Sequence, residues 1–254
     1  GAYEWNGYIP FEESPHMNNP QKGYVATANN KVVNDDYPYY LGVDVGMGNR
    51  CQRIEEMIGK IERHSVEDIG RMQVDQVSIT ARTIGGILGK LNTENDALKP
   101  VLERFTNWDG FLKSTSPEAA IYEVFIHYLI LRLVKPSLGD LAEHYAGKGL
   151  TPVIKPSNML GDHSRKWLLS IIGDPSNPWW TSEEGLTRED HMTAALLETV
   201  AYLKTTCGPN IEDWQWGKIH QITFSHSLGS VKPLDKLVNR GPFPMGGDVD
   251  TSWM

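Results

Sequence analysis

Ser116-Pro117-Glu118 is the strongest helix start in the chain, and the longest apolar stretch, Ile121 to Val134, follows it directly. The serine offers a capping hydroxyl. The proline suits the first helical position, where its missing N–H costs nothing. The glutamate lies beside the positive end of the helix dipole. The spacing predicts a helix from Pro117 to about Val134, ending before Pro136. The stretch is too short to span a bilayer and carries Glu123, His127 and Arg132, so it reads as a buried helix and not a membrane span. A chain of 254 residues has enough length to cover such a helix.

Helical patterning is confined to the region after residue 50. Residues 1–50 are rich in Gly, Pro, Asn and Tyr, and Pro10, Pro15, Pro20 and Pro38 exclude a long helix there. Short strands are expected at Gly7–Phe11 and Gly23–Thr27, with a tight turn over Asn18–Gly23. From Arg50 onward, Ile54, Ile58 and Ile61 mark one apolar helix face. Ser65, followed by Glu67 and Asp68, opens another helix. Val74, Ile79, Ile84, Ile87 and Leu91 continue the pattern, with Gly85-Gly86 as a point of interruption. Leu98, Val101, Leu102 and Phe105 form a further face that ends at Asp109-Gly110. Later helices are expected at Leu138–Tyr145, Ser157–Ile172 and Thr187–Thr206, the last with a capping-type start and a Gly208-Pro209 stop. The tail, 211–254, returns to Trp, Gly and Pro with one short strand at Gln221–Ser225. These shifts divide the chain into a β/loop region (1–50), a helical domain (51–210) and an irregular tail (211–254).

Charge narrows the partners. There are 32 acidic and 24 basic side chains, a net charge of −8, and no Lys/Arg-rich run, which argues against nucleic acid. The first residues show no secretory signal, which fits either a cytoplasmic protein or a processed chain. Cys51 and Cys207 belong to no metal or redox motif; they read as two buried free thiols, and a pairing between them is left open.

Residue chemistry alone yields no complete active site. None of the eight histidines sits in a zinc motif, and His220 and His226, flanking the tail strand, read as structural. Asp248 and Asp250 resemble the start of a calcium loop whose remainder is missing. Gly42, Gly46 and Gly48 lack the spacing of a phosphate loop. Gly-x-Ser-x-Gly and Ser-x-x-Lys are both absent.

The dense polar and aromatic opening does carry a resemblance. It runs Trp5-x-Gly7-x-x-Pro10-Phe11, then Asn19-Pro20-x-x-Gly23-Tyr24-x-x-x-x-Asn29-Asn30, then Asp36-Tyr37-Pro38, then Arg50 with Ile54 four residues on. Later come Trp108-Asp109-Gly110, Trp216-Gly217-x-x-His220, Phe224-x-His226 and Gly241-Pro242-x-Pro244-x-Gly246-Gly247-Asp248. Together these collinear stretches resemble the penicillin acylase (penicillin amidase) family of N-terminal-nucleophile hydrolases, over essentially the whole chain. The part matched is the middle-to-late portion of the family's large chain.

The resemblance implies a predominantly helical α+β segment of a larger αββα assembly. It implies hydrolysis of linear acyl-amides: penicillin, cephalosporin or acyl-homoserine-lactone side chains. The family's nucleophile is a residue freed at the N-terminus of the large chain by self-cleavage. Gly1 has no side chain to attack with, so the nucleophile is expected outside this chain, upstream, and the isolated chain is expected to be inactive. The implied partners are the remaining acylase segments: a small chain and the nucleophile-bearing segment. Asn29 matches the asparagine that stabilises the tetrahedral oxyanion, and Arg50 matches the arginine that orients it and the nucleophile's amine. Asn30, as a neighbour that positions the loop, and Tyr24 are candidate pocket supports, with simple packing the plainer reading of Tyr24. The chemistry requires no cofactor. The family's calcium-ligand position falls on Leu41, with Asp44 three residues on, so calcium in the complete enzyme has no support from this chain. A periplasmic or extracellular location is implied by the resemblance. The rival expectation is a catalytically inactive helical binding or structural module.

Overall fold

A computed structural model describes residues 4–42, 45–147, 158–181 and 185–253. Ten α-helices and one two-stranded sheet lie within these residues: α1 Asn49–Gly59, α2 Val66–Gln73, α3 Ile79–Leu88, α4 Lys99–Glu103, α5 Pro117–Leu138, α6 Ala142–Tyr145, α7 Asn158–Ile172, α8 Arg188–Cys207, α9 Trp216–Ile219, β1 Gln221–Phe224, α10 Asp235–Val238 and β2 Arg240–Pro244.

The core is built around α5. The Ser116 hydroxyl accepts from the Ala119 N–H at 3.1 Å, and Pro117 opens the helix. Twelve of its 22 residues are buried, among them Ile121, Tyr122, Phe125, Leu129 and Leu133. The helix α8 packs along it, supplying Met192, Ala195, Leu196 and Leu203, while α3 contributes Ile84 and Leu88. The helix runs through Pro136, beyond the expected end at Val134. A proline in the last turn forfeits one ladder bond only, and the turn still closes through Gly139 N–H to Lys135 C=O before Gly139 leaves the helix at φ 53°.

Local capping also sets the starts of α2, α3 and α8. Ser65 with Asp68, and Thr187 with Asp190, form reciprocal capping boxes at α2 and α8. The helix α3 is unbroken across Gly85-Gly86. A Cβ at position 85 would sit 2.8 Å from Trp108 Cε3, so the glycine is what lets the indole reach the helix.

Two expectations are corrected. Residues 7–11 and 23–27 carry no strand pairing; residues 11–13 form a 3-10 turn instead. Among the described residues of the first fifty, the one bridge is parallel, Asn30 to Gly46, and the remaining backbone bonds are local turns, including Gly23 N–H to Pro20 C=O. Strands need a neighbouring edge, and this segment meets none among the described residues; Trp5, Tyr8 and Phe11 are almost fully exposed. The apolar face expected on α1 is also displaced. Ile54 and Ile58 are half-buried and Ile61 lies exposed beyond the helix end, whereas Cys51, Arg53 and Met57 form the buried side. Arg53, on that buried side, carries a polar pair described below.

The tail folds back onto the helices. The Trp216 indole donates to Gly247 C=O at 2.9 Å and Trp214 is fully buried. The strands β1 and β2 pair antiparallel, Gln221 opposite Pro244 and Phe224 opposite Arg240, with a bulge between Ile222 and Phe224. His220 stacks on Trp216, and His226 Nδ1 accepts from Leu228 N–H, capping the turn that follows. A buried charge cluster ties the tail in. Arg165 of α7 bonds Glu123 of α5 and, at 3.3 Å, Asp248 of the tail; the three side chains are 16%, 6% and 3% exposed. Asp248 Oδ1 also accepts from the Asp250 N–H at 2.9 Å. The two aspartates of the suspected calcium loop therefore belong to the packed interior, and no metal-holding group of His, Cys, Asp or Glu occurs among the described residues.

Candidate active site

Asn29 sits on the loop that precedes α1, with φ 60°. Left-handed backbone is costly for most residues and tolerable for asparagine. The Gly46 N–H, 2.7 Å from Asn29 C=O, holds the turn in place from the other side of the loop. The first turn of α1 then grips this loop from below. Arg50 Nη2 donates to Asn29 Oδ1 at 2.8 Å and to Ala28 C=O at 3.2 Å, and Cys51 Sγ lies 3.5 Å from Ala26 C=O.

The orientation of the Asn29 amide follows from these contacts. Its oxygen is turned toward the half-buried guanidinium, so its Nδ2 is turned away, into the open. Among the described residues Nδ2 makes no hydrogen bond. An amide whose oxygen accepts from a cation is polarised, and its N–H groups become stronger donors. Among the described residues the arrangement is a fixed donor without a partner on an exposed loop, which is what stabilising a developing negative charge requires.

The other expected residues are placed as follows. Asn30 builds the loop: its Oδ1 accepts from Ala28 N–H at 2.9 Å and its Nδ2 donates to Lys31 C=O at 3.0 Å. Tyr24 is half-buried beneath the Lys22 ammonium, 4.7 Å from its ring centre, and Lys22 pairs with Glu55 of α1 at 2.6 Å. No hydrogen bond or ring contact joins Tyr24 to Asn29 among the described residues. Tyr37 and Tyr39 brace the opening segment, donating to Glu13 C=O and Glu13 Oε2. An open groove beside them is lined by Trp5, Tyr8, Ile9, Tyr39 and Tyr40. Leu41 is exposed, and Asp44 lies outside the described residues.

Sequence reasoning missed how α1 is held. Arg53 makes a two-bonded fork with Asp75, Nε to Oδ2 at 2.8 Å and Nη2 to Oδ1 at 2.7 Å, with both side chains nearly buried. The Asp75 carboxylate holds the Arg53 guanidinium above its ordinary pKa, with Glu56 adding to the effect. Asn49 donates to Thr80 Oγ1 at 2.7 Å, and Arg82 pairs with Glu56 at 3.0 Å. The partners lie 22 to 31 residues apart, beyond the reach of any local pattern. Cys51 and Cys207 are both free; Cys51 is buried, but Cys207 is half-buried and not fully enclosed.

A protein of helices with a small exposed sheet and a loop-borne amide matches a known fold. The thermostable penicillin G acylase from Alcaligenes faecalis superposes with a TM-score of 0.57 at 20% identity, over 83% of this chain and 41% of that one, and so shares the fold. The penicillin amidase family profile matches residues 1–253, and the chain belongs to this family of acylases. Among curated relatives, the acyl-homoserine lactone acylase QuiP of Pseudomonas aeruginosa is 25% identical over 99% of this chain and 32% of its own length. The penicillin acylase 2 proenzyme of Pseudomonas sp. strain SE83 is 28% identical over 99% of this chain and 31% of its own length. Penicillin G acylase of Escherichia coli is 24% identical over 85% of this chain and 28% of its own length. The chain thus spans about a third of the length of the curated relatives it matches. No described helix is long and apolar enough to cross a membrane.

Proposed function

We propose that this chain is the portion of an amide hydrolase that supplies the oxyanion-stabilising side chain, Asn29, while the N-terminal nucleophile comes from a segment outside it. The substrates are linear acyl-amides of the kind found in penicillin, cephalosporin and acyl-homoserine lactone side chains. The observation that carries this reading is the 2.8 Å bond from Arg50 to Asn29 Oδ1, which holds the amide while its N–H groups bond nothing among the described residues. As the nucleophile attacks the acyl carbon, negative charge gathers on the carbonyl oxygen. A preorganised amide donor at that point lowers the barrier by ~3–4 kcal/mol. Arg50 contributes in two ways: it prevents the amide from flipping, and its positive charge favours the oxyanion. The Asn29 oxygen retains a second lone pair, which suits holding the nucleophile's α-amine.

The test combines composition with activity. The protein is expressed from its whole coding region, its chains are weighed by denaturing and native mass spectrometry, and acyl release is followed from phenylacetyl amides and from N-acyl-homoserine lactones. A companion chain beginning with Ser, Thr or Cys, together with acyl release, supports the reading. A lone 28.5 kDa species in both measurements, with no acyl release, replaces it with an inactive helical module.

A further inference from the structure

We infer that the Arg53–Asp75 pair is the device that positions Arg50 against Asn29, making Asp75 a positioning residue for the reaction; this rests on the catalytic reading of Asn29 given above. Arg50 and Arg53 lie one turn apart on α1 and lean to similar sides of it. Arg50 reaches the loop at Ala28 and Asn29, while Arg53 reaches the turn between α2 and α3 at Asp75. A helix pinned at one contact can still rotate about its axis. Side chains end about 6 Å from that axis, so a rotation of about 20° carries a guanidinium about 2 Å. That is enough to break a 2.8 Å hydrogen bond. The orientation of the Asn29 amide therefore depends on whatever fixes the rotation of α1.

Apolar packing fixes it only in part: Ile54 and Ile58 are half-buried, and the buried Cys51 and Met57 stand outside the main core cluster. The fork fixes it more tightly. Two parallel hydrogen bonds between planar groups admit one relative orientation, which a single bond or a point charge does not. Asp75 is itself immobilised. Its Oδ2 accepts from Val77 N–H at 3.3 Å, and its carbonyl accepts from the Trp253 N–H at 3.1 Å. The anchor thus joins α1, the α2–α3 turn and the end of the tail. Asn49 to Thr80 and Glu56 to Arg82 add single tethers between α1 and the α3 segment. Each is a single bond, with more angular freedom than the two-bonded fork, so the fork is the tightest constraint on the rotation of α1.

The test uses Asp75→Asn and Arg53→Lys, each of which keeps the size of the side chain and loses the fork. Two readouts are taken at a temperature where circular dichroism shows each variant folded. The first is the pair of side-chain amide proton signals of Asn29 by nuclear magnetic resonance, compared with Arg50→Ala. The second is kcat and KM in the complete acylase, with the Asp75→Asn/Arg50→Ala double variant included. The proposal expects the Asn29 signals to move toward their positions in Arg50→Ala. It expects kcat to fall tenfold or more with KM within twofold, and the double variant to lose no more than Arg50→Ala alone. Unmoved Asn29 signals in both single variants, or losses that multiply in the double variant, overturn it. Should the signals move while Asn29→Ala and Arg50→Ala retain full turnover, the positioning role stands and the catalytic reading of Asn29 is the part that fails. Should Asp75→Asn not fold, Arg53→Lys decides by the same criteria.

Discussion

Asp248→Asn asks how the buried charge joining α5, α7 and the tail is balanced. Asp248 lies 3.3 Å from Arg165 and within hydrogen-bonding reach of Glu123, which occupies the same guanidinium. At an effective dielectric of about 20, unit charges about 4 Å apart interact by about 4 kcal/mol. The pull of Arg165 and the push of Glu123 are thus of similar size and nearly cancel. Burial decides the outcome, and burial favours the neutral carboxyl. Desolvation first, then Glu123 and Asp250, hold Asp248 well above the usual carboxylate range against the pull of Arg165. The native state then binds a proton that the unfolded chain has released. Stability from this group is fully present at low pH and falls as pH rises from about 3.9, the ordinary aspartate value, through the raised native one. One proton gives a slope of at most about 1.4 kcal/mol per pH unit. For a chain of this size that is about 3–6 °C in Tm per pH unit. Asparagine imitates the protonated carboxyl and cannot ionise. Calorimetric Tm values of both proteins from pH 5 to 8 follow the effect, since carboxylates remote from the Arg165 cluster cancel in the difference. The variant is expected to gain on the parent steadily as pH rises and to equal or exceed it at pH 7.5. If instead the variant loses ~6–20 °C at pH 7.5, the ~3–5 kcal/mol cost of stripping one partner from a buried ion pair, Asp248 is the ionised partner of Arg165 and the reasoning is wrong.

Three further outcomes are expected. Ser116→Ala removes the cap of the central helix and should lower stability by about 1 kcal/mol in denaturant titration, with an unchanged midpoint refuting the capping role. Phe125→Ala opens a cavity in the core around α5 and should cost ~3–5 kcal/mol; a loss below 1 kcal/mol would mean that core is not close-packed. Burial raises both thiols above their ordinary range, so with a thiol reagent at neutral pH half-buried Cys207 should react before Cys51, and both should be counted in denaturant; a single oxidised pair would count none.

The parts legible in the sequence are those governed by neighbours three or four residues away. Ser65, Ser116 and Thr187 each bond a backbone N–H three residues on, so their helix starts could be read directly. Asn29 and Arg50 stand in motifs legible in the sequence, but the bond between them spans 21 residues and only the fold reveals it. The rotation of α1 was misjudged because hydrophobic spacing pointed to Ile54 and Ile58, while the fork to Asp75 turned Arg53 inward. The strand at Gln221 was visible through its aromatic and branched residues. Its partner was hidden, because Arg240–Pro244 contains a glycine and two prolines, which ordinarily exclude a strand and here sit in an exposed edge pair. The cluster around Arg165 gathers residues 42 and 83 positions apart, and no pattern in the chain announces it.

The central claim is that the Asn29 amide, held by Arg50, stabilises the oxyanion. The measurement that meets it most directly is kcat of Asn29→Ala on an acyl-amide in the complete acylase, with chain processing followed by mass spectrometry. The account predicts a fall of about 10²–10³ with folding and self-cleavage retained. Turnover near that of the parent, in a correctly processed variant, would contradict it.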